Sequence, residues 1–344
     1  MLEPAPPPPA LPEEIERSGV PSVPTEEVPY CAVCGSDRHR PDAAGYDYEL
    51  GTCANLWRFV ACLDCGQVRL HPRPSLEALP VIYPPTYYAY QYERISTVAR
   101  RAKQLMDSSK LRTVLRSLDR PVSSYLDVGC GDGRYLEALA GRGVNRERLF
   151  GLELDERVVA DLVRRGFRAW CERVETCERF DPESLDLITM FHVIEHLDAP
   201  DKVIERLSLW LRPGGLLALE TPNIDSLDAR LFRDGRWGGL HIPRHWHLFT
   251  PETISKLLVR FGLEVVDIRF QTGHSFWMYS LHHTLRYRTH PWPRLARLFD
   301  PLRSVPALAV FTAFDKARAA LGARTSGMLI LARRRGESAL GSVR

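Results

Sequence analysis

From about residue 124 onward the chain alternates between short apolar runs and amphipathic stretches, which predicts alternating strands and helices. The predicted strands lie near 124–129, 148–154, 167–171, 184–191, 215–221, 263–270 and 327–334, and the predicted helices near 133–142, 156–165, 201–211 and 251–261. Short connections between such elements are typical of a doubly wound α/β sheet, in which ligands bind at the carboxyl ends of the strands. The residues at those ends are therefore the first candidates for a functional site.

A glycine-rich turn follows the first of these strands, in the segment Leu126-Asp-Val-Gly-Cys-Gly-Asp-Gly133. Glycine lets the backbone turn sharply and approach a ligand closely, because no Cβ intrudes. About twenty residues later the second strand ends in Glu153, whose carboxylate suits hydrogen bonding to ribose hydroxyls. The pattern predicts a site for a nucleoside-containing cofactor.

The acidic residue two positions before Gly129 helps to choose among such cofactors. Asp127 places a carboxylate there, which suits S-adenosylmethionine (SAM), a cofactor that has cationic groups and no phosphate. A dinucleotide site and a chance glycine turn are the alternatives. The preceding strand, the following helix and the acid at the expected distance disfavour both.

Four segments in order resemble the motifs of class I SAM-dependent methyltransferases. Asp127 to Gly133 is similar to their first motif, Gly151-Leu-Glu153 to the second, Leu185 to His196 to the fourth strand and its turn, and Leu211 to Leu219 to the turn into the fifth strand. The resemblance covers about 124–270. It implies a Rossmann-like seven-stranded sheet with an antiparallel last strand at 327–334. It also implies a cofactor site formed by Asp127, Gly129, Gly131, Gly133, Glu153, Phe191 and His192.

Two histidine-rich segments offer bases for removing a proton from a methyl acceptor. His192-Val-Ile-Glu-His196 follows the fourth strand, and the segment 239–250 holds three of the chain's eleven histidines. The candidate catalytic residues are His192, His241, His245 and His247. A capping and packing role for the first segment, and a lid packed by tryptophans for the second, remain open.

The Glu-His pair and the downstream Arg-His-x-His also resemble the metal-dependent branch of these enzymes. That branch includes small-RNA 2′-O-methyltransferases and a quinone-pathway O-methyltransferase, in which a Glu-x-x-Glu-His supplies metal ligands. His192 stands where those enzymes have the first glutamate, and imidazole shifts the preference away from magnesium. We therefore leave a second metal unassigned at this point.

Residues 30–74 contain two Cys-x-x-Cys pairs, Cys31/Cys34 and Cys62/Cys65, each followed at once by glycine. Two such turns can place four thiolates in a tetrahedron, which predicts a zinc-ribbon-like module with a closed, structural Zn²⁺ site. Alternation of apolar residues predicts short strands over 46–50 and 56–61. A redox-active pair and unmetallated thiols are the alternatives.

The remaining segments complete the predicted domain organisation. Residues 1–29 hold nine prolines and are predicted to be a disordered tail. Residues 75–120 form a helical linker or lid, with a tyrosine cluster at 83, 87, 88, 90 and 92 and a helix over about 95–118. Residues 121–344 form the methyltransferase domain, with a helical insertion at 273–326 before the last strand. The apolar run 305–314 in that insertion is interpreted as a helix covering the core or, alternatively, as a peripheral membrane contact.

Composition limits the classes of function. A net charge of +3 over 344 residues does not favour a nucleic-acid partner, and no apolar run reaches the ~18 residues of a membrane span. The N-terminus lacks the pattern of a secretory signal, so we expect a cytoplasmic protein. The favoured function is methylation of a small-molecule or glycan (nucleotide-sugar) acceptor at oxygen or carbon. An RNA methyltransferase that binds RNA through the zinc module, and a SAM-binding scaffold without turnover, are the alternatives.

Overall fold

The computed structural model describes residues 9–84, 97–287, 291–301 and 303–336, with backbone alone over 97–105. Its strands are β1 (Thr25–Glu26), β2 (His39–Gly45), β3 (Trp57–Cys62), β4 (Val68–Leu70), β5 (Arg73–Pro74), β6 (Tyr125–Val128), β7 (Leu149–Glu153), β8 (Arg168–Cys171), β9 (Leu185–Phe191), β10 (Leu211–Pro222), β11 (His247–Leu248), β12 (Leu263–Gln271) and β13 (Gly327–Arg334). Its α-helices are α1 (Glu13–Ser18), α2 (Leu79–Ile82), α3 (Thr97–Arg116), α4 (Arg134–Ala140), α5 (Glu156–Arg164), α6 (Pro200–Trp210), α7 (Leu227–Leu231), α8 (Pro251–Arg260), α9 (His274–Arg286), α10 (Pro293–Ala296) and α11 (Val305–Ala320).

The large sheet has seven strands in the order β12-β13-β10-β9-β6-β7-β8. The strands β10, β9, β6, β7 and β8 pair in parallel, and β13 pairs antiparallel with both β10 and β12. This is the mixed seven-stranded sheet of class I methyltransferases, and the fold class predicted from the sequence is confirmed.

Two helical layers cover this sheet. Helices α3, α4 and α5 pack one face through buried residues such as Val114, Leu136 and Leu162. Helices α6 and α8 pack the other face through residues such as Ile204 and Leu257. Because both faces are covered, the central strands consist of nearly continuous apolar runs, and the sequence pattern could place them.

The small sheet near the N-terminus has the order β11-β4-β3-β2. The strand predicted over 46–50 is wrong, because the first strand of this sheet is β2 and residues 48–50 form a turn. The Asp47 carboxylate accepts hydrogen bonds from the backbone N–H groups of Leu50 (3.1 Å) and Thr52 (2.9 Å). A side chain that satisfies two nearby N–H groups in this way favours a turn over a strand.

Two predicted boundaries also differ from the structure. Within the tail predicted as disordered, residues 9–29 contain α1 and β1, since Ile15 is buried against tyrosines that follow β2 and β1 pairs with β5. The module predicted over 30–74 also takes in β11 from the histidine-rich loop, because His247 pairs with Arg69 in an antiparallel ladder.

The segment between β12 and β13 contains α9, α10 and α11. Within the described residues, no helix combines the length and the apolar composition needed to cross a bilayer. Of the tyrosine cluster at the start of the linker, Tyr83 is described, whereas Tyr87, Tyr88, Tyr90 and Tyr92 lie outside the described residues.

Candidate active site

In the glycine turn after β6, the backbone adopts a conformation that is unfavourable for residues with a Cβ. Gly129 has a φ of +72°, and a Cβ built on it would lie 2.5 Å from Cγ2 of Val193. Gly131 and Gly133 also have positive φ, at 49° and 72°. The backbone N–H of Gly131 donates to the Glu153 carboxylate at 2.9 Å, so the turn and the end of β7 form one unit. These are the residues that would hold the adenosine portion of SAM.

Asp127 lies under this turn with one carboxylate oxygen unsatisfied. Its Oδ1 accepts a hydrogen bond from the Thr189 hydroxyl at 2.7 Å, while its buried Oδ2 has no hydrogen-bond partner among the described residues. Burial raises the pKa of Asp127 to about 7. A buried carboxylate with a spare acceptor fits a cationic ligand, because a nearby positive charge would favour its ionised form.

This environment predicts that SAM binding depends on pH. A cationic ligand requires the Asp127 carboxylate, which is largely protonated below its pKa of about 7, so the affinity for SAM should rise with pH and level off above 7. Calorimetric titrations on both sides of pH 7 measure the slope. Asp127→Asn should remove it, whereas Asp132→Asn, which alters an exposed acid in the same turn, should keep it. An affinity of the wild-type protein that does not vary with pH would contradict this role.

His192 begins the turn after β9, where Phe191 ends the strand. Its side chain is half-exposed, with Nδ1 3.3 Å from Oε1 of Glu195 and Nε2 3.7 Å from Oε1 of Glu220. Partial desolvation favours the neutral ring, but Glu220 and Glu195 outweigh it and raise the pKa of His192 to about 10. An imidazolium at neutral pH donates hydrogen bonds and does not accept a proton, so the predicted role of His192 as a base is not supported.

Helix α3 contributes residues that the sequence analysis did not identify. Lys110 forms an ion pair with the buried Glu220 and lies 4.8 Å from the centre of the Phe191 ring. Burial favours the neutral form of Glu220, but Lys110 and His192 outweigh it and lower the pKa of this carboxyl to about 2. Asp107, one turn earlier, accepts from the Tyr135 hydroxyl at 2.8 Å. In the sequence, the one indication of this cluster was Glu220, an acid at the end of the apolar strand predicted over 215–221.

Three residues next to His192 bring possible metal-ligating atoms within 4.8 Å of one another: Glu195, His196 and His245. Nδ1 of His196 lies 2.9 Å from the carbonyl oxygen of Arg244, and Nδ1 of His245 lies 2.8 Å from that of Gly239. A carbonyl only accepts, so in each ring Nδ1 carries the hydrogen and Nε2 keeps its lone pair. Metal-ligating histidines are usually oriented in this way, by donating the other ring N–H to a backbone carbonyl.

Burial keeps both of these rings neutral. It lowers the pKa of His196 to about 4 and the pKa of His245 well below its ordinary value. Glu195 is fully buried, and its Oε2 accepts from the Thr221 hydroxyl at 3.1 Å. One carboxylate and two neutral imidazoles form a donor set that suits zinc and similar divalent ions better than magnesium. These three residues could therefore hold a metal.

The turn that follows β2 supplies acids to the histidine-rich loop. Oε2 of Glu49 lies 2.5 Å from Nδ1 of His241, whose ring centre lies 4.9 Å from that of His245. Asp47 pairs through both oxygens with the guanidinium of Arg244, at 3.1 and 2.9 Å, and both side chains are fully buried. The loop is therefore a buried connection between the two sheets.

The structure separates His247 from the other histidines. Its ring stacks on Phe249 with centroids 6.3 Å apart, and burial, with Arg73 and Arg69 nearby, lowers its pKa to about 3. It lies on β11, whose register is fixed by pairing with β4. A ring in this position packs the junction between the sheets, so the predicted base role of His247 is not supported.

The four predicted zinc ligands come together where β3 ends. Sγ of Cys31 lies 3.5 Å from Sγ of Cys65, and Sγ of Cys34 lies 3.6 Å from Sγ of Cys62. A tetrahedral site with Zn–S bonds of about 2.3 Å has sulfur–sulfur separations of about 3.8 Å. The cluster therefore has the size of a Zn(Cys)₄ site, and with four protein ligands it would be structural.

Comparisons with known proteins match the methyltransferase part of the chain. A family profile described as a methyltransferase domain matches residues 98–268. A ubiquinone biosynthesis O-methyltransferase of Cupriavidus pinatubonensis is 28% identical over 159 residues, which cover 43% of this chain and 62% of that protein. The protein with the same description in Idiomarina loihiensis is 33% identical over 104 residues, which cover 28% of this chain and 42% of that protein. The chain thus spans about half the length of these relatives.

Among solved structures, a SAM-dependent methyltransferase of Archaeoglobus fulgidus is 18% identical, with a TM-score of 0.45 over 67% of this chain and 94% of that one. The order of the large sheet, the glycine turn and the matching profile lead to the same assignment, which confirms the sequence-based one. The chain carries an S-adenosylmethionine-dependent methyltransferase domain of the class I fold.

Proposed function

We propose that this protein transfers the methyl group of SAM to a hydroxyl oxygen of a small-molecule acceptor. The acceptor lies at the edge of the large sheet where β9 and β10 end, next to Phe191, His192 and the cofactor turn. Two observations support oxygen as the target. The curated relatives are described as O-methyltransferases, and the donor cluster beside His192 is suited to binding an oxygen through a metal.

The single observation that carries the proposal is the cluster of Glu195, His196 and His245, whose ligand atoms lie within 4.8 Å of one another at that edge. These residues would hold a divalent ion, which lowers the pKa of a bound hydroxyl and so makes it a better nucleophile. The low pKa values of the two histidines make them poor general bases, whereas neutral rings are good ligands. His192, as an imidazolium, would donate a hydrogen bond to the acceptor.

In this proposal the N-terminal module does not bind RNA but supports the histidine-rich loop. Residues 30–74 contain five basic and five acidic residues, so the module has no excess of positive charge to attract phosphates. Asp47 and Glu49 are turned inward onto Arg244 and His241. The module therefore holds the histidine loop in place, and its zinc would stabilise that support.

A methyl-transfer assay tests the acceptor class. We expect transfer from labelled SAM to phenolic or catecholic hydroxyls or to the hydroxyls of nucleotide sugars, and none to a transfer-RNA mixture. Methylation of RNA, with salt-dependent RNA binding, would replace the proposal by the RNA-methyltransferase alternative. Micromolar SAM binding without transfer to any acceptor in the panel would favour the scaffold alternative.

Metal analysis of two variants tests the donor cluster. Glu195→Gln should remove one divalent ion per chain, leave the zinc of the cysteine site in place and lower turnover at least tenfold, because an amide is a weaker ligand than a carboxylate. Cys31→Ser should remove the zinc of the cysteine site and leave the divalent ion at Glu195 in place. Glu147→Gln, which alters an exposed glutamate, is the control and should keep both ions. Wild-type protein that is fully active after chelation of all but the cysteine-bound metal would overturn this part of the proposal.

A further inference from the structure

The insertion between β12 and β13 has an unusual share of the exposed apolar side chains. Of the nineteen large hydrophobic residues exposed in the described part of the chain, six lie between 295 and 321: Leu295, Leu298, Val305, Val310, Phe314 and Leu321. Val305 is 71% exposed and Leu321 87% exposed. Single exposed apolar residues are ordinary on protein surfaces, but a concentration of this kind marks an interaction site. We call these six residues the insertion face.

Helix α11 is fixed to the protein by one side. Trp277 of α9 stacks on Phe311 at 5.8 Å, and the Nε1–H of Trp277 donates to the buried Asp315 at 3.1 Å. Asp315 also accepts from the backbone N–H of Gly273 at 2.8 Å. Positions 311 and 315 lie one turn apart on the same side of the helix. The opposite side therefore faces away from the protein.

That opposite side is apolar apart from Lys316. Along α11, the exposed positions hold valine, proline, alanine and phenylalanine, and Lys316 is the one charged residue among them. Val305, Ala309 and Lys316 line an open depression of about 350 Å³. A helix of 16 residues is about 24 Å long, so this surface is an extended strip and not a pocket for a small ligand.

Exposed basic residues lie in the segment that precedes α11, and the acids of the insertion are already engaged. Arg294 and Arg297 are exposed on and next to α10, and the Arg303 side chain is 83% exposed. Asp315 is buried with Trp277 and Arg318, and Asp300 lies 3.6 Å from Arg303. The charge that the segment presents to an outside partner is therefore positive.

We propose that the insertion face docks this protein onto an anionic lipid bilayer, with α11 lying in the interface plane. An apolar strip on a helix, with exposed basic residues in the segment that leads into it, has the chemistry of an interfacial helix, in which apolar side chains enter the acyl boundary and cations contact lipid phosphates. A second copy of the chain fits less well, because two such faces would bring like charges together. The inference is independent of the methyl acceptor.

Co-sedimentation of the full-length protein with vesicles tests the proposal. We expect binding to phosphatidylcholine vesicles that contain phosphatidylglycerol, weaker binding to phosphatidylcholine alone, and a loss of binding as salt rises. The double variant Val305→Asp/Val310→Asp should weaken binding at least tenfold. Arg294→Glu/Arg297→Glu should weaken it by about fivefold or more for each arginine removed from the anionic surface.

The matched control is Val163→Asp/Val259→Asp, which alters valines that are 53% and 51% exposed on α5 and α8. It should bind vesicles as the wild type does, and circular dichroism should show that all three double variants are folded. Equal sedimentation with and without vesicles, or equal binding by Val305→Asp/Val310→Asp and Val163→Asp/Val259→Asp, would overturn the proposal. So would light scattering that shows a wild-type dimer dissociated by Val305→Asp/Val310→Asp, since the face would then be covered by a second copy.

Discussion

Arg244→Met is expected to lower the free energy of unfolding by about 3–5 kcal/mol. The guanidinium of Arg244 pairs with Asp47 and also donates to the carbonyl oxygen of Ile82 at 2.7 Å, with no solvent exposure of either charged side chain. Without it, Asp47 would be a buried carboxylate that has lost its counter-ion. Denaturation of the purified variant in urea, followed by circular dichroism, measures the change.

Arg269→Met is the matched control. Arg269 forms an ion pair with Asp267 at 2.6 Å, but its side chain is 54% exposed, and exposed pairs contribute at most about 1 kcal/mol. A drop for Arg244→Met no larger than that for Arg269→Met would contradict the view that the Asp47–Arg244 pair joins the small sheet to the histidine loop.

Gly129→Ala is expected to weaken SAM binding by about a hundredfold. A non-glycine residue in the left-handed region costs roughly 1–2 kcal/mol, and overpacking against Val193 adds about 1–3 kcal/mol. A shift of the turn would relieve the backbone strain and the overpacking, but it would move the backbone away from the position in which it would contact the cofactor. Since Val193 directly follows His192, the shift should also displace the acceptor side of the site. Calorimetric titration with SAM measures the affinity.

Gly143→Ala separates this effect from backbone strain alone. Gly143 also has a positive φ, +89°, but a Cβ there would meet no atom within 4 Å. This variant should lose stability and keep its affinity for SAM. Equal affinities of the two alanine variants would show that the turn at Gly129 does not form the cofactor site.

The large sheet could be predicted because its information is local. Apolar runs such as 185–191 and 216–219 are long enough to indicate buried strands, and the glycine turn with Glu153 follows from spacing within about twenty residues. The cysteine cluster is predictable for a similar reason, because each Cys-x-x-Cys-Gly turn forms its own half of the site. In these cases neighbouring residues determine both the structure and the chemistry.

The acceptor side of the site depends on contacts between distant segments. Lys110 and Glu220 are 110 positions apart, Glu49 and His241 are 192 apart, and Asp47 and Arg244 are 197 apart. No period or spacing in the sequence connects such pairs. Protonation also depends on such contacts, since burial lowers the pKa values of His196, His245 and His247, whereas nearby carboxylates raise the pKa of His192. Sequence analysis could select the histidines but could not assign their roles.

If the glycine turn, Asp127 and Glu153 form a SAM site, calorimetric titration of the folded protein with SAM and S-adenosylhomocysteine should detect it. We expect one site per chain with a micromolar dissociation constant for SAM, a loss of that site in Gly129→Ala and its retention in Gly143→Ala. Folded wild-type protein that binds neither compound would contradict the account.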